Sequence, residues 1–386
     1  MALVFCFLAL FLMTDAACAQ NVVRRTANVV AAVNPFAQGQ YVPETEVVQQ
    51  DAPGLYNVRS QNLQWRSNLG KNYSALIWFP TTPPLLGQKF SVVVYSHGLG
   101  ASAEQFSYLG KIWARHGVVT ILLRHPESDE SVWRGKLRPM NELKEAYHKY
   151  WSARDRALAI RSAIDLVYSS NRSAGPLGAD VDLERIGVAG NDLGALAALQ
   201  VAGQLPPDNG ASLKDTRVSC VLAMSPTVFC DAASGAQVYA NIDVPTMVVT
   251  GTNDNGIVGQ TKAHERRIPY DNIREADRYL VTLRGGDHRV YGGHALPQKQ
   301  AQVEPYHETI SIATTDFFVA YLQADSTVMQ RMRAYAYSNP LSNAQVESSF
   351  GRRAVKDYDV GESSRPRRAK RSDKTASTVN RTNRLR

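Results

Sequence analysis

Short, unbroken apolar runs recur along the middle of the chain, each followed by a turn and then by a stretch with helical spacing. The runs at 75–79, 91–96, 118–123, 186–189, 219–224, 246–250 and 279–283 are rich in Val, Ile, Leu and Thr. Runs of this length with no polar alternation are expected of strands buried on both faces. Helical patterns at 104–116, 150–169, 193–205 and 309–324 fall between or after them. Strands alternating with helices predict an α/β fold: a mostly parallel, doubly wound sheet flanked by helices. The stretch 125–149 breaks the alternation. It is charged and aromatic, and it reads as a lid or insertion at the wall of a pocket.

Outside this body the pattern changes. Residues 2–13 are all apolar, too few to span a bilayer as a mature helix, and Ala17, Cys18 and Ala19 follow as a small-residue cleavage site. Residues 1–19 are therefore read as a signal peptide, although no Lys or Arg precedes the apolar run. The expected location is secreted or periplasmic, with no transmembrane segment left after cleavage. Residues 20–41 read as an irregular lead-in, 42–340 as the folded domain and 341–386 as a tail.

The net charge of +8 belongs to that tail. From 352 to 386 there are 12 Lys or Arg against 4 Asp or Glu, which leaves 31 against 31 in the rest of the chain. A segment so charged and so poor in apolar residues cannot bury enough surface to offset its ordering entropy, so it is expected to be disordered. It is suited to contact with anionic surfaces and lacks the interleaved aromatic residues of a nucleic-acid reader. Cleavage of the leader would leave Cys220 and Cys230, for which a disulfide and two free thiols stand as equal readings.

Three segments at strand ends carry the chemistry, where open α/β sheets place their sites. The first is Gly190, Asn191, Asp192, Leu193, Gly194, set between an apolar strand and an Ala- and Leu-rich helix. Small residues on both sides allow a turn so sharp that the central residue is strained and exposed to a cleft. The helix that follows aims free N–H groups at that point and favours an anion, which suits Asp192. A plain helix cap is the alternative reading of Asp192. The second segment is Ser96, His97, Gly98, Leu99, Gly100. The N–H of Leu99 and that of Leu193 are the candidate oxyanion hole, and His97 reads as structural. The third pairs Asp254, after the strand at 246–250, with His288, after the strand at 279–283. The chain order is nucleophile, acid, base, with Asp254 orienting His288. Asp243 and Asp287 are weaker candidates for the acid. No metal-ligand spacing and no cofactor-binding loop is present, so no cofactor is expected.

Taken together, SHGLGAS from Ser96, RHPESDESVWRGK from Arg124, RIGVAGNDLGA from Arg185, TGTNDN from Thr250 and YLVTLRGGDHRVYGG from Tyr279 resemble the predicted dienelactone hydrolases of the α/β-hydrolase superfamily. These are similar to bacterial relatives of platelet-activating factor acetylhydrolase. The resemblance implies an α/β-hydrolase fold and an esterase using Ser, Asp and His on a small hydrophobic ester. Asp254 and His288 match its acid and base, and Leu99 and Leu193 its oxyanion donors. The elbow departs from it: Asn191 and Asp192 stand where the family has His and Ser.

An aspartate changes the chemistry. It is ionised without help from a base, but its attack on an ester carbonyl gives a mixed anhydride and sets its charge against the developing oxyanion. Attack on a saturated carbon instead gives an alkyl-enzyme ester that His288 can hydrolyse through water, as in haloalkane dehalogenases and epoxide hydrolases. In those enzymes a residue of the pocket holds the halide or protonates the opening ring; Leu193 offers no such group, and Tyr108, Tyr147 and Tyr150 are the candidates. Three readings follow: a hydrolase of esterase ancestry acting through Asp192, a pseudo-hydrolase that only binds a small hydrophobic ligand, and a surface protein dominated by its basic tail.

Overall fold

The computed structural model describes residues 55–351, apart from 86, 173–174, 260, 293–296, 339–340 and 342. The expected leader, the lead-in and the tail from 352 onward lie outside the described residues. So does the part of the expected domain before residue 55.

Nine strands form one sheet in the order β1-β2-β4-β3-β5-β6-β7-β8-β9. They are β1 (Val58–Arg66), β2 (Asn72–Pro80), β3 (Phe90–Ser96), β4 (Val118–Arg124), β5 (Val181–Asn191), β6 (Val218–Met224), β7 (Thr246–Asn253), β8 (Arg278–Asp287) and β9 (Ala344–Ser349). From β4 to β8 neighbouring strands are parallel, while β1, β2 and β9 join antiparallel at the two edges. Helices cover both faces: α1 (Ser107–Arg115), α2 (Pro139–Tyr150), α3 (Arg154–Ser170), α4 (Leu193–Ala202), α5 (Ala232–Val238), α6 (Ile268–Asn272), α7 (Pro297–Leu322) and α8 (Ser326–Ser338). The protein is therefore a mostly parallel α/β fold of the α/β-hydrolase type.

The central strands alternate between two cores because successive side chains point to opposite faces. Val92 and Val94 pack with Ala157, Ile160 and Ile164 of α3 and with Leu196 and Leu199 of α4. Val93 and Tyr95 pack with Leu109 and Trp113 of α1 and with Phe317 and Phe318 of α7. Every residue of β3 is buried, so burial on two sides is what makes its sequence continuously apolar.

All seven expected strands are present, and the sheet adds β1 and β9 at its edges. β9 is a correction to the reading of everything beyond 340 as tail: Ala344 pairs with Leu283 and Val346 with Val281. Only Ala344 and Val346 of this strand are buried, so an edge strand held largely by backbone bonds leaves little apolar signal. The helix expected over 150–169 begins at Arg154 and is preceded by the separate helix α2. Cys220 and Cys230 are both free, one buried and one partly exposed, which decides between the two readings of that pair.

Register brings the carboxyl ends of the strands level. Ser96 lies beside Gly190, Gly190 beside Ala223, and Asn253 beside Asp287. The residues after β3, β5, β6, β7 and β8 thus emerge along one edge. At the turn after β5 the packing leaves no room for a side chain. A Cβ on Gly194 would lie 1.9 Å from the Ser96 carbonyl oxygen, and one on Gly190 would lie 2.3 Å from the Gly194 carbonyl. Gly194→Ala should therefore lower stability by at least about 3 kcal/mol. A urea midpoint within error of the parent chain would contradict this account of the turn.

Candidate functional site

Asp192 occupies the point of that turn with φ 53° and ψ −117°, a conformation an L-residue adopts only under constraint. The constraint is visible. Its N–H donates to the Met224 carbonyl at 3.0 Å, and its carbonyl accepts from Leu196 N–H at 3.1 Å and from Thr227 N–H at 3.4 Å. The side chain makes no capping bond to α4. Instead Oδ2 accepts the Leu99 N–H at 3.3 Å and Oδ1 accepts the Thr227 hydroxyl at 2.6 Å. The Leu193 N–H is close enough to favour the charged carboxylate. Of the two N–H groups expected to form an oxyanion hole, that of Leu99 thus bonds the Asp192 carboxylate itself. Burial raises the affinity of this carboxyl for a proton. His288, Arg266, the Thr227 hydroxyl and the Leu193 N–H together outweigh that and hold it below the ordinary aspartate value.

Asp254 and His288 meet at the ends of β7 and β8. His288 Nδ1 lies 2.9 Å from Asp254 Oδ1. Asp254 is wholly buried and also accepts from Ser225 Oγ at 2.9 Å, Tyr291 Oη at 2.9 Å and Thr250 Oγ1 at 3.2 Å. Burial pushes the Asp254 carboxyl up. Its bond with His288, the Arg266 charge and the Ser225 hydroxyl bring it below the ordinary value. Asp243 pairs with Lys214 at 2.8 Å, and Asp287 accepts the Arg289 N–H at 2.8 Å; neither is in hydrogen-bond contact with His288.

Arg266, which sequence reasoning did not single out, sits behind this pair with no exposed surface. Its Nε lies 3.1 Å from Asp254 Oδ1 and donates to the Asp254 carbonyl at 2.6 Å. One terminal nitrogen donates to the carbonyls of Ser225 at 2.7 Å and Pro226 at 3.0 Å. The other lies 3.3 Å from His288 Nδ1. One guanidinium therefore clamps the loops after β6 and β7. Nothing in the run His264, Glu265, Arg266, Arg267 marks it out, and the adjacent Arg267 is a partly exposed partner of Asp271 and Glu347.

Asp192 and His288 line one pocket of about 70 Å³, with Leu99, Thr227 and Arg266. Leu143 and Tyr147 of α2, from the stretch 125–149, also line it. Of the three candidate tyrosines, Tyr147 lines this pocket. Tyr108 donates to the Tyr291 carbonyl, and Tyr150 lines a different cavity.

The turn bearing Leu99 is fixed from behind. Arg156 of α3, 3% exposed, donates to the carbonyls of His97 and Gly98 and to Ser128 Oγ. His97 is fully buried, with Nδ1 2.8 Å from the Gly98 carbonyl, and His125 bonds Ser96 Oγ through Nε2 at 2.8 Å. His97 is thus a structural part of the turn. Burial, then the Arg156 charge, lowers its proton affinity to about 3. Burial and the charges of Arg156 and His97 lower that of His125 as well.

No family model matches the chain. Platelet-activating factor acetylhydrolase from Cavia porcellus is 21% identical over 290 residues, which make up 66% of this chain and 60% of that protein. The chain thus matches less than two thirds of the length of this distant relative, whose α/β-hydrolase character agrees with the sheet seen here.

The two buried histidines carry a pH dependence. The unfolded chain binds a proton at each as pH falls below about 6.5, whereas folded His97 stays neutral down to about 3. Stability should therefore fall on acidification through that window, by roughly 1.4 kcal/mol per pH unit for each such group. The depressed carboxyls of Asp192 and Asp254 act lower down: their stabilisation is complete above about pH 3.9 and is lost as pH falls through their folded values. Urea midpoints should drop steadily between pH 6.5 and 4, and His97→Gln should make that limb shallower. A flat profile over that range would be incompatible with neutral buried imidazoles.

Proposed function

We propose that this protein is a secreted hydrolase of esterase ancestry in which the Asp192 carboxylate is the nucleophile, Asp254 the acid and His288 the base. The observation that carries the reading is the pair of bonds on the carboxylate. Oδ2 rests against the Leu99 N–H while Oδ1, held by Thr227, belongs to the same pocket wall as His288. Asp192 attacks a saturated carbon through one oxygen and displaces a leaving group, giving an alkyl-enzyme ester. The other oxygen, Oδ2, becomes the ester carbonyl oxygen, with the Leu99 N–H as its donor and that of Leu193 as the second donor of the proposal. His288 then takes a proton from water as that water adds to the carboxyl carbon. The alcohol leaves and the carboxylate is restored. Asp254 holds His288 in orientation and balances its charge as it becomes an imidazolium. Tyr147 is the tyrosine of the pocket lining, and its phenolic hydroxyl would protonate or hold a leaving oxygen.

The substrate class is a small hydrophobic molecule with an electrophilic saturated carbon, such as an epoxide or haloalkane. A pocket of about 70 Å³ admits the reacting end of such a molecule. Ordinary ester cleavage is disfavoured, because a carbonyl oxygen entering the pocket meets a Leu99 N–H that already holds a carboxylate. That same feature favours the second reading, a pseudo-hydrolase that retains the pocket for binding. Secretion rests on the apolar run 2–13 and its small-residue flank, and contact with anionic surfaces on the basic residues beyond 351.

Single turnover in oxygen-18 water should place label in the Asp192 peptide, read by mass spectrometry, since water adds to the carboxyl carbon. Absence of label with every member of a broad panel of epoxides and haloalkanes ends the nucleophile reading. Asp192→Ser should raise hydrolysis of short nitrophenyl esters on the order of 100-fold, because removing the carboxylate frees the oxyanion donors. A folded Asp192→Ser protein with no gain shows that the remaining groups cannot support acyl transfer, and favours the binding reading.

A further inference from the structure

A second cavity is larger than the one at Asp192. It encloses about 600 Å³ between the β1–β2 hairpin, the turn after β4 and the start of α3, and it shares no lining residue with the Asp192 pocket. Five Lys or Arg side chains line it against two carboxylates, Glu127 and Asp155. Two of the cations, Lys71 and Lys149, are exposed. Lys71 lies 3.6 Å from Asp155, and Lys149 lies over the Tyr150 ring.

The decisive member of the lining is Arg156. It is 3% exposed, yet its partners are all neutral: the carbonyls of His97, Gly98 and Ser128 and the Ser128 hydroxyl. Its Nε has no hydrogen-bond partner. Among the described residues no carboxylate lies within ion-pair distance of it. The charges of Asp192, Glu127 and Asp129 reach it only at longer range, and a buried guanidinium without a directly paired counter-ion is costly. Burial already weakens its hold on the proton, to a value of about 10. A second feature points the same way. The 17-residue helix α3 starts on the cavity wall, its N-cap Ala153 lies at φ 55°, and no side chain caps its first N–H groups. The positive end of a helix left uncapped beside excess basic residues favours an anion.

We infer that this cavity binds a small organic phosphate. A phosphate monoester carries up to two negative charges and three terminal oxygens, which match a lining whose cations outnumber its carboxylates even with Arg124 paired to Glu104 outside it and suit arginine and helix N–H donors. The volume is in the range of cavities that hold whole small molecules, so the phosphate is borne on an organic body, which Tyr73 and Tyr150 flank. This site is independent of the chemistry at Asp192: either reading can fail while the other stands. It abuts that chemistry nonetheless, because Arg156 is also the group that holds the turn carrying Leu99.

The test is titration calorimetry of the full chain with phenyl phosphate, glycerol 3-phosphate, inorganic phosphate and succinate. Saturable one-site binding is expected for the phosphate monoesters, tighter than for inorganic phosphate or succinate and weakening as salt rises. The double variant Lys71→Ala, Lys149→Ala removes charge at exposed positions and should weaken phenyl phosphate binding on the order of tenfold, with an unchanged urea midpoint. Three results overturn the inference: no saturable heat with either monoester, succinate or inorganic phosphate binding as tightly as the monoesters, or a folded double variant that binds as well as the parent chain.

Discussion

Gly194 is packed so closely against the Ser96 carbonyl that a methyl group there would overlap it. This approach of two turns, one after β3 and one after β5, is the constraint on which the site rests. It sets the Asp192 backbone in a strained conformation and puts its carboxylate beside the Leu99 N–H, although 93 residues separate the two in sequence. If the turns were farther apart, Asp192 would be a helix-terminal carboxylate near water. With them together, it is a partly buried anion held by the Leu99 N–H and the Thr227 hydroxyl on two loops.

The carboxylate alters the electrostatics that a hydroxyl would give. Asp192 and Asp254 place two negative charges near one imidazole, and Arg266 supplies one positive charge to both. Much of that guanidinium's hydrogen bonding goes to the carbonyls of Ser225, Pro226 and Asp254. It thereby fixes the loops around Asp254 while offsetting the charge of that carboxylate. Ser225 completes the arrangement: its hydroxyl lies 2.9 Å from both Asp254 Oδ1 and His288 Nδ1.

Arg156 plays the corresponding part on the other side of the site, holding the His97 and Gly98 carbonyls. The two buried arginines differ in their counter-ions. Arg266 has Asp254 in direct contact, whereas Arg156 bonds only neutral acceptors and feels the Asp192 charge at longer range. The same device, a guanidinium ordering carbonyls of a loop, is therefore directly ion-paired in one place and not in the other.

The sequence by itself determined the central strands and the places where chemistry gathers. Strands buried on both faces must be continuously apolar, and a turn as tight as that at Asp192 admits only small residues at 190 and 194. Those requirements act on neighbouring residues, so they leave a local trace. The edge strands β1 and β9 escaped that reading because half or more of their residues are not buried. The tertiary structure alone decided that the Leu99 N–H holds the Asp192 carboxylate, that Tyr147 and not Tyr108 or Tyr150 lines its pocket, and that Arg266 and Arg156 are buried while Arg267 is not. Each of these depends on which distant loop packs against a side chain, and a polar residue looks the same in a sequence whether it meets water, a carbonyl or a charge.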